Sequence, residues 1–132
     1  MPFDYRWDDE QKTVIYVEGI GNWTWDEFHL TTEEVMKMMK GVSHRVDVII
    51  MRSKTGRTPK GSGIPHYQRV SRIFPDNFGM LVMVGDNIMR NLLVNAMIRV
   101  FGSGDVQMHL ANNLDEAYTI IKAVREADKE TQ

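Results

Sequence analysis

Between Val48 and Pro75 the chain carries six cations, Arg52, Lys54, Arg57, Lys60, Arg69 and Arg72, and no acid. All 18 carboxylates lie elsewhere, against the other ten Lys and Arg, so the flanking sequence sums to −8. Within the stretch, Lys54-Thr55-Gly56-Arg57 and Lys60-Gly61-Ser62-Gly63 combine cations, hydroxyls and small residues. Glycine lets backbone N–H groups approach an anion closely, and a helix start immediately afterwards adds partial positive charge. A phosphate, a nucleotide or an acidic protein surface suits such chemistry. The expected partner- or anion-binding set is Arg52, Lys54, Arg57, Lys60, Ser62, Gly63, His66 and Arg69. A solvated loop has the same composition, and that plainer reading stands beside the binding one. A nucleotide P-loop is excluded, because Ser62 stands where the phosphate-binding lysine must be. Ser62 is also a candidate phospho-acceptor, since a dianion would be stabilised by Arg57 and Lys60.

Aromatic residues offer a second candidate site. Trp23 and Trp25 flank Thr24 at the start of the first expected helix, and His66 and Tyr67 open the second. In an open α/β sheet both helix starts lie beyond the strand C-termini, where ligands commonly bind. Trp23, Trp25, His66 and Tyr67 are therefore read as a pocket mouth. Closure of the helix start by a hydrophobic staple is the alternative for the tryptophans. The four histidines, His29, His44, His66 and His109, fall on different elements without metal-ligand spacing, so no metal is expected. Asp26, Glu27, Glu33 and Glu34 share the first helix. Acids there answer the helix dipole, so they imply no acid–base catalysis. Gly61-Ser62-Gly63 lacks the spacing of a nucleophile elbow. Any enzyme would have to use His66 and Ser62 without an orienting acid.

The totals bound these readings. At 132 residues the chain is expected to form a single domain over 1–132. A net charge of −2 argues against general nucleic-acid binding. The absence of cysteine excludes disulfides and thiolate chemistry. The beginning is polar and acidic, unlike a signal or transit peptide. The longest apolar run, Met80–Val84, is about five residues, against the roughly 20 needed to span a bilayer. The expectation is a cytoplasmic protein with no membrane partner. The ten methionines are read mainly as core filling.

Periodicity supplies the frame. Phe3, Tyr5 and Trp7 alternate with Asp4 and Arg6, and Thr13–Val17 is a second strand, together an antiparallel hairpin. Thr24 and Glu27 form a capping box opening a helix over 25–39, stopped by Gly41. Val46–Met51 is a buried strand suited to the middle of a partly parallel sheet. The basic loop follows, then a helix over 66–74 that ends before Pro75. Gly79–Val84 is a buried strand, and 88–101 a helix with apolar residues nearly all round. Val106–Leu110 is the last strand. Asn113 with Glu116 caps a final helix, whose inner face is Leu114, Ala117, Tyr118, Ile121 and Val124. From Arg125 the charged tail is expected to fray. The fold class is thus α/β, in the order ββαβαβαβα, with a mixed sheet.

This order resembles that of STAS domains, named for sulfate transporters and anti-sigma-factor antagonists. Also similar are the hairpin before the first helix, the strand ending at Ile50-Met51 before a long loop and helix, Pro75-Asp76-Asn77-Phe78-Gly79 before a strand, the Val84-Gly85 pair, the helix ending at Phe101, and Asn113-Leu114-Asp115-Glu116-Ala117. The resemblance implies a regulatory binding module rather than an enzyme. In the antagonists an Asp-Ser-Ser-Gly motif at the second helix start carries a phosphorylated serine. Here Lys60-Gly61-Ser62-Gly63 stands in that place, with the acid and the acceptor serine replaced.

The resulting expectation is a non-enzymatic regulatory or scaffold module, without cofactor, binding an unidentified protein of acidic surface through the basic loop and second helix. A carrier of a small apolar or lipid-like ligand is the alternative, and a phosphate- or nucleotide-binding protein the third. Homodimerisation is a further expectation, from the edge position of the first strand and the apolar third helix.

Overall fold

The Phe3–Trp7 alternation does produce a strand, β1 (Phe3–Trp7), paired antiparallel with β2 (Val14–Gly19). A computed structural model describes residues 3–51, 64–85 and 107–130. The hairpin turn is held by Asp9, whose carboxylate accepts from the Thr13 and Val14 amides at 2.8 and 3.0 Å and from the Thr13 hydroxyl. Asp9 therefore organises the turn that composition alone presents as merely solvated.

Helix α1 (Trp25–Lys40) starts at the expected capping box: Thr24 Oγ1 accepts from the Glu27 amide at 3.1 Å, and Glu27 accepts from the Thr24 amide at 3.0 Å. Two of the N–H groups left unbonded at the helix start are thereby satisfied. Gly41 ends it, its N–H donating to Lys37 and Met38 carbonyls. Strand β3 (Val46–Met51) runs parallel to β2, and β4 (Phe78–Val84) parallel to β3. Helix α2 spans Ile64–Ser71. It begins two residues before the expected start and stops three before Phe74. Pro65 thus sits in the first turn, where a missing N–H costs no intrahelical bond. Strand β5 (Gln107–Ala111) pairs parallel with β4. The final helix, α3 (Leu114–Glu130), is capped by Asn113 Oδ1 accepting from the Glu116 amide at 2.8 Å. Glu116 reaches back to Asn112 rather than to Asn113, accepting from its backbone and side-chain nitrogens.

Among the described residues the strand order is β1-β2-β3-β4-β5, mixed, with β1 antiparallel and the rest parallel. Alternation sends the two sets of side chains to opposite faces. Ile15, Val46, Val48, Leu81 and Met83 pack against Val35, Met36 and Met39 of α1 and Val70 of α2. Val14, Tyr16, Ile49, Met80, Val82, Val84 and Ala111 pack against Ala117 and Ile121 of α3, with Leu114, Tyr118 and Val124 alongside. Met36, Met39, Met80 and Met83 thus fill core space. The expected helix over 88–101 and the loop residues Arg52, Lys54, Arg57, Lys60, Ser62 and Gly63 lie outside the described residues. No helix among the described residues is long and apolar enough to cross a membrane.

The charged end of α3 does not fray at Arg125; it is helical through Glu130. Arg125 Nε donates to Asp47 at 2.7 Å, and its other nitrogens reach the Thr13 carbonyl and hydroxyl at 2.9 and 3.3 Å. Asp128 binds Arg45 Nη1 at 2.5 Å. Charges that look solvated along the sequence are anchored across it.

Candidate functional site

Parallel pairing of β2 and β3 carries their C-termini to one edge of the domain, and α1 and α2 both start there. The four residues expected at a pocket mouth meet at that edge. The Trp25 and His66 rings stack with centroids 3.9 Å apart and planes within 4°. Trp25 also meets Tyr67 at 6.0 Å and Trp23 at 5.1 Å, both near edge-on. Trp23 stacks on Phe28 at 5.7 Å and touches Phe3 at 5.2 Å.

The two tryptophans do different work. Trp23 precedes the cap and Phe28 is the fourth helical residue, so their contact is the hydrophobic staple that fixes the entry of α1. Trp25 is the first residue of α1, and its ring holds the beginning of α2. Offset and edge-on aromatic contacts of this kind contribute about 0.5–1.5 kcal/mol each beyond area burial.

His29, one turn into α1, completes the arrangement. Its Nε2 lies 2.8 Å from His66 Nδ1. One of these two nitrogens donates and the other accepts, so the bond survives one extra proton on the pair but not two. Arg69, on the next turn of α2, lies 3.7 Å from Glu33 of α1. That ion pair is largely exposed and weak, a second tie between the same helices. Burial, and then the positive charge of Arg69 and of His66, hold the His29 pKa below its ordinary 6.5, outweighing Asp26 and Glu33.

The sign of the pH effect follows. Where the folded protein prefers neutral His29, the unfolded chain binds more protons, so stability rises with pH. The window runs from the depressed folded value up to 6.5. The thermal midpoint is expected to rise through this window, and His29→Asn to flatten that part of the profile. An unchanged slope in the variant would refute the assignment.

His66 and Arg69 are thus the described members of the expected binding set. His29 was not singled out in sequence: its partner lies 37 residues away, and no local spacing marks the pair. The chain matches no protein-family model, and no curated protein or solved structure matches it significantly.

Proposed function

We propose that the protein is a non-enzymatic regulatory or scaffold module that binds an acidic protein surface through the basic stretch of sequence and the helix that follows it, α2. The observation that carries this reading is the Trp25–His66 stack. It pins the start of α2, the helix that carries Arg69, to α1. Arg69 and Arg72 are exposed on or just after α2, where an acidic partner can reach them. The facing nitrogens of His29 and His66 are engaged with each other, which suits a positioning role better than proton transfer to a substrate. Rim cations of this type steer association and select partners by charge.

Alanine at Arg52, Lys54, Arg57, Lys60 and Arg69 together is expected to weaken partner capture by about fivefold or more, since exposed ion pairs contribute roughly 0.2–1 kcal/mol each. Capture from lysate on immobilised protein, quantified by mass spectrometry, checks this. Lys122→Ala with Lys129→Ala, on α3 against the opposite sheet face, serves as the control. Equal capture by wild type and the five-site variant would reject the assignment. Loss of capture with free inorganic phosphate would instead favour the anion-binding reading.

A further inference from the structure

The open edge of the sheet carries a self-complementary pattern. β1 is the terminal strand, and among the described residues no strand pairs with its outer side. The Asp8 amide donates to the Val14 carbonyl at 2.8 Å, so Asp8 directs its backbone toward β2 and sets the phase of the ladder. Hydrogen-bonded and non-bonded pairs alternate in an antiparallel ladder. Arg6–Tyr16 and Asp4–Glu18 are then bonded pairs, given the register of the hairpin. Phe3, Tyr5 and Trp7 therefore direct their backbone N–H and C=O groups outward. Unpaired groups of this kind are a ready template for another strand.

We infer that this edge binds β1 of a second copy of the chain, antiparallel, about a twofold axis at Tyr5. The inference is independent of the proposed partner surface at the basic stretch and α2. In this register Tyr5 faces the partner's Tyr5 and Phe3 faces the partner's Trp7. All of these residues have outward-directed backbone groups, so every N–H finds a C=O. Asp4 falls opposite the partner's Arg6, and Arg6 opposite the partner's Asp4. These are non-hydrogen-bonded positions, where Cα atoms approach to about 4.5 Å and side chains are closest.

Within one chain Arg6 Nη1 already contacts Asp4 Oδ2 at 2.6 Å. Pairing extends that contact into a ring of four alternating charges. Neighbouring registers fail. A slip of one residue sets outward-directed groups against inward-directed ones. Moving the axis to Asp4 or to Arg6 places like charges directly opposite each other, which is destabilising. Among axes at Asp4, Tyr5 and Arg6 the charge pattern thus selects Tyr5, whereas an axis at Trp7 would carry the pairing past the end of β1; isologous pairing closes the assembly at two copies.

Sedimentation velocity on the full chain across the micromolar range tests this. Wild type is expected to dimerise. Asp4→Arg and Arg6→Asp are each expected to weaken dimerisation by about tenfold or more, because like charges then oppose across the axis. Both side chains are about half exposed, and far-UV circular dichroism verifies that the variants fold. An equimolar mixture of the two variants is expected to recover the dimer, since each supplies the charge the other lacks. Register is read separately. The chain has no cysteine, so Asp4→Cys mixed with Arg6→Cys is expected to give an oxidised heterodimer, while neither variant cross-links to itself. Among the described residues, the helix that contacts β1 is α1, and it packs against one face of the strand rather than along its open edge. A monomeric wild type, single variants that still dimerise, or a mixture that stays monomeric would each overturn the proposal.

Discussion

Replacing Asp47 by alanine is expected to cost the fold about 3–5 kcal/mol, the range for removing one partner from a buried charge cluster. Asp47 lies on β3 with no solvent exposure. Its carboxylate accepts from Arg45 Nε at 3.0 Å, from Arg125 Nε at 2.7 Å and from the buried Met80 amide at 2.8 Å. The residue therefore ties together β3, β4 and α3, elements far apart in sequence. Alanine leaves the Nε donors of Arg45 and Arg125 and the Met80 amide without this acceptor. For Arg45, burial opposes the charge, but hydrogen bonds to Asp128 and Asp47 and their charges outweigh it and raise its pKa.

A loss of this size is a large part of the 5–15 kcal/mol available to a typical domain. Urea unfolding followed by tryptophan fluorescence measures it. Asp47→Asn keeps the shape and one acceptor oxygen, so it is expected to be milder than Asp47→Ala. Equal losses in the two variants, or a loss under about 1 kcal/mol for alanine, would show that the carboxylate is not the organising group.

Gly79→Ala is expected to lower stability clearly in the same unfolding measurement. Its backbone is ordinary strand, so the difficulty is space. An added Cβ would collide with Arg45 Nε and Asp47 Oδ1, the same pair that forms the buried ion bridge. Arg45 has a flexible side chain but is tethered to Asp128, and Asp47 is enclosed. Overpacking of this kind costs about 1–3 kcal/mol, and here displacement of the ion pair adds to it. Gly85→Ala is the matched control. Among the described residues a Cβ there meets nothing within 4 Å, so its effect is expected to stay within about 0.5 kcal/mol. Similar losses at both positions would remove the steric explanation.

The two networks differ in how visible they are along the chain. The aromatic rim was legible in part. Thr24 and Glu27 mark the start of α1, Pro65 marks the first turn of α2, and the general geometry of parallel sheets brings such starts to one edge. Trp23, Trp25, His66 and Tyr67 could be chosen on that basis. His29 could not, because its hydrogen-bond partner belongs to another helix. The buried ion cluster was illegible for the same reason, more severely. Asp47 is one acid in an otherwise apolar strand, and Arg125 is one cation in a charged run. Only the docking of α3 on the sheet joins them, and that same docking keeps the chain helical through Glu130.

What the amino-acid order determined by itself is local. Alternation made β1, the capping box began α1, Gly41 ended it, and apolar runs became the interior strands β3 and β4. These outcomes depend on neighbours within a few residues, where side-chain period and backbone hydrogen bonding suffice. Tertiary structure alone decided which distant charges and rings meet: Asp47 with Arg125, Trp25 with His66, His29 with His66. Such contacts depend on how helices settle on the sheet, and burial then turns an ordinary carboxylate, Asp47, into one whose removal the fold registers strongly.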